Sequence, residues 1–405
     1  MSTLQIVTLI VVTAAYAAIA VGSVPRLAMN RATIALVASV VLVLIGAISE
    51  QDALGAIDLG TILLLGAMMV INVHLRLAGF FRFVASRTLR LARTPAMLLA
   101  LVIGASGVLS AFFLNDPICL MVTPLAIDIV RRFGRRPLPY LIGIGVAANV
   151  GSVATITGNP QNVIIGQASG IGYLDFASAL TPVALVGLAI SWAVIVVMFR
   201  DEFRGTLAAA ELPPPRPYTP LLNRVLAIVV LLFVLFLIGV SVVTAACAAA
   251  GLLLISRLRP AKLLALDWEL LAFFAGLFVV TGAIESAGLG EVVFGALRPL
   301  IEGGTVPLTL TTGVLSNLVS NVPAVLLMRP EVAALPDARH AWLTLAMAST
   351  LAGNLTLLGS AATLIVAEVA RGMRESLGFM PFLRVGVPVT LLTIAFGVLW
   401  LEIIR

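Results

Sequence analysis

Charged side chains are scarce in this 405-residue sequence. They make up 11% of the residues, whereas 61% are hydrophobic, and the mean hydropathy is +1.14. Soluble domains carry about 25% charged residues, so this composition excludes a soluble globular protein. The apolar runs are about 17 to 25 residues long, which is the length that an α-helix needs to span a bilayer. The sequence therefore predicts an all-α polytopic membrane protein embedded in a lipid bilayer.

Residues that support enzyme or cofactor chemistry are also few. The chain has two cysteines and two histidines, and Cys119 and Cys247 fall inside apolar segments, as buried small hydrophobic residues do. We find no nucleotide-binding loop, no cluster of metal ligands and no paired nucleophile and base. The sequence thus predicts no enzymatic activity, no cofactor and no metal. The net charge of +6 comes from basic residues in short loops, which indicates membrane orientation rather than nucleic-acid binding.

One stretch of the chain occurs twice. Ser106 to Pro124 aligns without a gap on Thr312 to Pro330, with 8 identities in 19 positions. In both copies Asn-X-Pro interrupts an apolar run, because proline removes a backbone donor and pushes the preceding residue out of helical geometry. Apolar segments broken at matching positions in two halves of a chain point to the midplane site of a secondary transporter.

The repeat predicts two inverted halves. Each half has about five crossings and a hairpin that enters and leaves on one side, and an odd number of crossings turns the second half upside down. We expect about ten transmembrane helices, two re-entrant hairpins and two broken helices. The first half covers 1–205, with its hairpin at about 95–133 and its broken helix at about 138–170; a cytoplasmic linker covers 206–221; the second half covers 222–405, with its hairpin at about 300–330 and its broken helix at about 341–371.

The distribution of basic residues predicts the orientation. If the loop with Arg26 and Arg31 is cytoplasmic, 21 of the 25 basic residues fall on the cytoplasmic side, as the positive-inside rule requires. Both termini are then non-cytoplasmic. The first apolar run has no basic region before it and no obvious cleavage site, so we expect it to be a retained helix.

The first hairpin tip carries a carboxylate inside an apolar segment. Asp116 would lie at a depth where an ionised side chain costs roughly 2.5 to 3.5 kcal/mol on insertion scales, and a carboxylate there can couple transport to protons. Capping of the helix that starts at Pro117 is the simpler alternative. The second tip has Val322 at the matching position.

Packing of small polar residues would explain one or two hydroxyls near the breaks, but not the asparagine-rich interruption of the first broken helix.

Four motifs resemble a known superfamily: LNDPICLMVTPLAIDI, TITGNPQNVI, LSNLVSNVPAVLLM and GNLTLLGSAATLIVAEV. They are similar to the ion transporter superfamily, which contains arsenite/antimonite permeases, sodium/proton antiporters, citrate-metal symporters and divalent anion/sodium symporters. The last two motifs look most like the arsenite permease branch. The resemblance implies elevator-like movement and is compatible with a homodimer. It also implies a substrate and ion site made of Asn115, Asp116, Thr157, Gly158, Asn159, Asn162, Ser320, Asn321, Gly359, Ser360 and Thr363.

The tips depart from one branch of that superfamily. The Ser-Asn-Thr signature of the dicarboxylate/sodium branch is replaced by Leu114-Asn115-Asp116 and by Ser320-Asn321-Val322, which favours a proton over sodium as the coupling ion. We therefore predict a secondary active transporter of a small inorganic or organic anion in the cytoplasmic membrane, with Asp116 as the proton-coupling residue. The alternative is a sodium/proton antiporter in which Asp116 binds the cation. A channel or a receptor would not need two matched interruptions.

Overall fold

A computed structural model of the protein describes residues 1–21, 23–24, 29–207, 219–255, 266–295 and 298–405. Within these ranges the chain is almost entirely α-helical. Two short strands, Ser23–Val24 (β1) and Met29–Asn30 (β2), pair antiparallel between the first two helices. The all-α prediction is confirmed. Most of the predicted linker at 206–221 lies outside the described residues.

Ten helices occur in the described part of the first half. Several are short, and only the longer ones can cross a bilayer. Their bounds are α1 (Thr3–Val21), α2 (Arg31–Leu44), α3 (Glu50–Ala56), α4 (Leu59–Leu77), α5 (Phe80–Leu89), α6 (Pro95–Phe112), α7 (Asn115–Arg132), α8 (Pro137–Ser152), α9 (Pro160–Ser169) and α10 (Tyr173–Met198).

The described part of the second half follows the same order of long, hairpin and broken helices. The arm of its hairpin begins at Thr305, after a separate five-residue helix. The bounds are α11 (Thr219–Leu237), α12 (Val242–Leu254), α13 (Trp268–Ser286), α14 (Gly290–Phe294), α15 (Arg298–Glu302), α16 (Thr305–Val319), α17 (Asn321–Ala333), α18 (Ala338–Ala352), α19 (Ala361–Gly372) and α20 (Phe379–Ile403).

Seven of the described helices are long and apolar enough to cross a membrane, namely α1, α4, α6, α10, α11, α13 and α20. Three more, α2, α12 and α16, are apolar but shorter. Their outer faces carry large apolar side chains, such as Leu44 at 79% exposed and Val230 at 63% exposed. Such side chains are stable on the outside only where lipid covers them. The protein is a multi-pass membrane protein.

Each hairpin turns at a short break. Two residues separate α6 from α7, which begins at Asn115 and has Pro117 in its first turn. Only Ser320 separates α16 from α17, which begins at Asn321 and has Pro323 in its first turn. Proline suits the first turn because the N–H that it lacks would have no partner there. Both helices restart at the Asn-X-Pro sequences.

The hairpins and broken helices pack across the two halves. α6 and α7 pack on α8, α7 also packs on α19, and α17 packs on α9. α6 and α8 approach closely at Gly107 and Gly151, because a Cβ on Gly151 would lie 2.1 Å from the carbonyl oxygen of Gly107. A second group is formed by α2 on α13, α4 on α12 and α11 on α12. The second group contacts the first through α4 on α9 and α13 on α17, and α5 packs on both α4 and α7.

Candidate functional site

The N-termini of α2 and α13 line one cavity of about 340 Å³, and four further helix N-termini open into it. These four belong to α7 and α9 from the first half and to α17 and α19 from the second. Each N-terminus has backbone N–H groups without intrahelical partners and carries roughly +0.5 elementary charge. The volume falls in the range of roughly 300 to 1,000 Å³ that is typical of small-molecule sites. The residues of these four N-termini that line the cavity are Asn115, Asp116, Pro160, Gln161, Asn321, Val322, Ser360 and Ala361.

Asn115 connects the first hairpin tip to the first helix break. Its backbone N–H donates to the carbonyl oxygen of Gly158 at 3.0 Å, and its Nδ2 donates to Oδ1 of Asn149 at 3.1 Å. Its own Oδ1 is buried and has no hydrogen-bond partner among the described residues. A buried acceptor without a partner costs about 1 to 3 kcal/mol. An unsatisfied acceptor therefore belongs to a residue that lines the cavity.

Asn149 joins the two halves of the chain. Its Oδ1 accepts from Asn115 and also from Oγ of Ser360 at 3.0 Å, and its Nδ2 donates to Oδ1 of Asn354 at 2.9 Å. The side chain is 1% exposed. Neither Asn149 nor Asn354 is among the predicted site residues, although both lie in the polar runs at the breaks. A carboxamide inside an otherwise apolar buried segment is the signal that could have identified them.

Two asparagines at the first break hold the backbone together. Asn159 caps α9 by accepting from the backbone N–H of Asn162 at 2.8 Å, and its Nδ2 donates to Oγ of Ser152 at 2.8 Å. Nδ2 of Asn162 donates to the carbonyl oxygens of Ser152 and Thr155, each at 3.0 Å. The Ser152 carbonyl group lies at the end of α8, where it lacks an intrahelical partner. The Thr155 carbonyl group lies in the break and also accepts from the backbone N–H of Gly158 at 3.3 Å. Both asparagines are fully buried and do not line the cavity.

Gly158 and Thr157 complete the first break. A Cβ on Gly158 would lie 2.2 Å from the carbonyl oxygen of Ser152, so only glycine fits there. The hydroxyl of Thr157 is fully buried and lies 3.3 Å from the hydroxyl of Tyr173. Both residues support the tip from behind the cavity wall.

The second tip is held by a strained turn and an amide. Ser320 has φ 79° and ψ 159°, a conformation that is almost restricted to glycine and costs about 1 to 3 kcal/mol. With its amide oriented to satisfy its neighbours, the nitrogen of Asn321 donates to the carbonyl oxygens of Ser349 at 3.1 Å and Gly359 at 3.2 Å. A Cβ on Gly359 would lie 2.9 Å from the carbonyl oxygen of Gly353. Tight backbone packing therefore forms this break as well.

Ser360 and Thr363 begin α19. Ser360 is the N-cap residue, and its Oγ accepts from the backbone N–H of Ala362 at 3.2 Å while donating to Asn149. The hydroxyl of Thr363 donates to the carbonyl oxygens of Leu357 at 2.9 Å and Ser360 at 2.7 Å. Ser360 thus faces the cavity and the asparagine network, whereas Thr363 is fully buried behind it.

Asp116 lies half-buried in the cavity wall among charged residues. Arg31 at the start of α2, and Asp267 and Glu269 at the start of α13, line the same cavity. Arg31 and Asp267 lie within coulombic range of Asp116, yet no salt bridge to Asp116 forms within the described ranges. Arg31, Asp267 and Glu269 belong to no motif, so no sequence signal marks them. The described residues contain no group of three His, Cys, Asp or Glu side chains that could hold a metal ion.

The structure divides the predicted site residues into two groups. Five of them line the cavity: Asn115, Asp116, Ser320, Asn321 and Ser360. The other six lie behind its wall and hold the helix breaks: Thr157, Gly158, Asn159, Asn162, Gly359 and Thr363.

Comparisons with known proteins agree with this architecture. The family model described as citrate transporter matches residues 7–352. The silicon efflux transporter LSI3 of Oryza sativa subsp. japonica is 29% identical to this chain, and the alignment covers 93% of each protein. A 46 kDa membrane protein of Mycobacterium leprae is 30% identical, with 92% of this chain and 94% of the relative covered. The crystal structure of the YdaH transporter from Alcanivorax borkumensis has the same fold, with a TM-score of 0.59, 15% identity and coverage of 99% of this chain and 98% of that one.

Proposed function

The chain belongs to the citrate transporter family of membrane transporters, and we propose that it moves a small oxyanion or oxyacid across the cytoplasmic membrane as a secondary active transporter. The observation that carries the proposal is the convergence of four helix N-termini on one cavity. Each contributes roughly +0.5 elementary charge and free N–H donors. Such an end suits an anion, because the negative charge of the anion is stabilised by the dipoles and the donors together.

Asp116 supplies the coupling in this proposal. It lines the same cavity as the four N-termini, so an ionised carboxylate would repel an anionic substrate. A proton on Asp116 removes that repulsion and adds a hydrogen-bond donor. The anion and the proton therefore favour each other's binding, which is the thermodynamic requirement for moving them together.

The polar groups of the cavity favour a ligand that carries both negative charge and hydroxyl groups. The helix N-termini are donors, whereas the unpartnered Oδ1 of Asn115 can only accept. An oxyacid offers acceptor oxygens to the helix N-termini and an O–H group to Oδ1 of Asn115. The family model is named for citrate, a hydroxy acid that carries both negative charge and a hydroxyl group, and the rice relative is named for silicon, which dissolves as an oxyacid with hydroxyl groups.

We propose that the hairpins and broken helices move as one unit. They are joined across the two halves by the Asn115–Asn149–Asn354 hydrogen bonds and by the packing of α7 on α19 and of α17 on α9. The group formed by α2, α4, α11, α12 and α13 would remain fixed while this unit carries the cavity across the membrane. A pair of protein copies could hold the fixed group in place.

A sodium/proton antiporter is the second candidate. It is favoured by the negative charge of Asp116, Asp267 and Glu269 in the cavity lining, which attracts a small cation. In that case the cation would bind to ionised Asp116, and no anion would be needed. The charge of the four N-termini opposes this second candidate.

Thermal unfolding of the purified protein separates the two candidates. We would measure it with arsenite, antimonite, silicate, phosphate, sulfate, citrate, succinate, sodium and lithium at two pH values, since a ligand that binds the native state raises the unfolding temperature. Stabilisation by an oxyacid that is lost in Asn321→Ala, but kept in Thr390→Ala outside the cavity, supports the proposal. Stabilisation by sodium or lithium alone, lost in Asp116→Asn, would replace it by the antiporter.

A further inference from the structure

Asp116 lies between two cavities. The second has a volume of about 490 Å³ and is bounded by α4, α5, α7 and α19. It shares Asp116, Asp267 and Ile365 with the first cavity. It does not contact the neutral residues of the second tip or the N-cap Ser360, which line only the first. The second cavity therefore meets the carboxylate of the site without meeting the N-termini of α9, α17 and α19.

Asn72 is a polar residue inside this largely apolar second cavity. It lies in the C-terminal half of α4, lines the cavity and is 4% exposed. Both its Oδ1 and its Nδ2 lack hydrogen-bond partners among the described residues. Buried polar atoms are almost always hydrogen-bonded to protein or to water, and each unsatisfied one costs about 1 to 3 kcal/mol. The cavity is large enough to admit water, so Asn72 gives it a point at which water can bind.

The charges around the second cavity favour cations and oppose anions. Three carboxylates, Asp116, Asp267 and Glu368, line it together with one guanidinium, that of Arg76. Glu368 is exposed on α19, whereas Asp116 is half-buried at the opposite limit of the cavity. Arg31 faces Asp116 from the first cavity only. The first cavity has the same balance of three carboxylates to one guanidinium, but the second lacks the N-termini of α9, α17 and α19. Without those positive helix ends, the carboxylates favour a proton or a small cation over an anion.

We propose that the second cavity is a water-filled entry path for the coupling proton, separate from the anion cavity. A proton accepted at Glu368 passes through water held by Asn72 to the carboxylate of Asp116, with no covalent change at any of the three residues. Asn72 is a positioning residue in this path. The inference rests on the proposed function, in which Asp116 carries the proton, but the presence of water in the cavity can be tested without any substrate.

The first test measures access of an aqueous reagent to Asn72. Cys119→Ala and Cys247→Ala remove the two native thiols, and Asn72→Cys then introduces one thiol into the cavity. Ile71→Cys is the matched control, because Ile71 is the neighbouring residue on α4, is fully buried and does not line the cavity. We expect a small, positively charged thiosulfonate reagent to modify Asn72→Cys at least about tenfold faster than Ile71→Cys. Equal, slow modification of both would show a dry cavity and overturn the proposal.

The second test separates proton delivery from substrate binding. In vesicles we would compare uptake driven by a pH gradient with exchange of labelled for unlabelled substrate at constant pH, using the compound that stabilises the protein. For Asn72→Leu we expect gradient-driven uptake to fall about tenfold, with exchange changed less than about twofold. Asn72→Ser, which keeps a group that binds water, should recover most of the uptake. An equal fall in uptake and exchange would mean that the cavity carries the substrate or only supports the fold.

The outcomes of the two tests distinguish an error in the proposed function from an error in the proposed proton path. If Asn72→Cys reacts but no oxyacid stabilises the protein, the cavity is wet and the proposed function is wrong. If an oxyacid binds and is driven by protons but Asn72→Cys does not react, the proposed function stands and the proton reaches Asp116 through the first cavity instead.

Discussion

The backbone N–H of Asn115 donates to the carbonyl oxygen of Gly158 at 3.0 Å, which joins the tip of the first hairpin to the break in the helix that follows it. The second half makes the equivalent connection with a side chain, since the amide of Asn321 donates to the carbonyl oxygen of Gly359 at 3.2 Å. In both halves a residue at the tip satisfies a carbonyl group at the break. The positions of the tips thus depend on the breaks behind them.

We expect Gly158→Ala to destabilise the protein strongly. The new Cβ would lie 2.2 Å from the carbonyl oxygen of Ser152, and backbone atoms cannot move aside as a flexible side chain can. The loss should be at least about 1 to 3 kcal/mol, measured as thermal unfolding in detergent. Gly104→Ala is the control, because nothing lies within 4 Å of its Cβ in α6, and it should be neutral or stabilising by roughly 0.5 to 1 kcal/mol. Equal behaviour of the two variants would contradict the close packing at the break.

Asn149→Ala should weaken both the fold and the site. It leaves Nδ2 of Asn115, the hydroxyl of Ser360 and Oδ1 of Asn354 without their partner, at a cost of at least about 2 kcal/mol. Because Asn115 and Ser360 line the cavity, we also expect the affinity for the stabilising ligand to fall about tenfold.

The control for Asn149 is Thr393→Ala, which removes a buried hydroxyl whose hydrogen bonds within the described residues stay in its own helix. It should lose some stability and no ligand affinity. If Asn149→Ala loses stability while ligand affinity stays normal, the network supports the fold without positioning the site.

Much of the fold could be predicted because proline and asparagine act locally. Asn-X-Pro marks the restart of a helix wherever it occurs in an apolar run, and α7 and α17 do begin at Asn115 and Asn321. The site was harder to predict. At a helix break, an asparagine can either satisfy free carbonyl groups or face a ligand, and only the direction of the side chain decides. The side chain of Asn162 satisfies carbonyl groups, whereas Asn115 lines the cavity and satisfies the carbonyl oxygen of Gly158 with its backbone N–H.

The charged residues of the cavity could not be predicted for a different reason. Arg31 and Asp267 lie at helix ends that are distant from the tips in sequence, and only the packing of α2 on α13 places them near Asp116. The partners of Asn149 could not be predicted either: the residue stands out as a carboxamide in an apolar run, but Asn354 and Ser360 come from the other half of the chain. Contacts of this kind arise from tertiary packing and leave no local pattern.

Ser320→Gly should stabilise the protein by about 1 kcal/mol, because glycine adopts φ 79° and ψ 159° without the strain that a Cβ causes. Ser320→Ala keeps the Cβ and should give no such gain. Thermal unfolding without ligand measures both. If strain at Ser320 helps the protein to release its ligand, the glycine variant should also transport more slowly. Equal unfolding temperatures for the glycine and alanine variants would show that the turn is not strained.

Asp116→Asn tests the coupling directly. In the unmodified protein, stabilisation by an anionic ligand should weaken as pH rises, because ionised Asp116 repels the anion. Asparagine is neutral at every pH, so the variant should fold normally, keep anion stabilisation at high pH and lose accumulation driven by a pH gradient. Asp128→Asn, on the exposed face of the same helix α7, should leave all three properties unchanged. Uptake by Asp116→Asn that still follows the pH gradient would assign the coupling proton to another residue, and Glu368 would be the first to examine because it lines the second cavity.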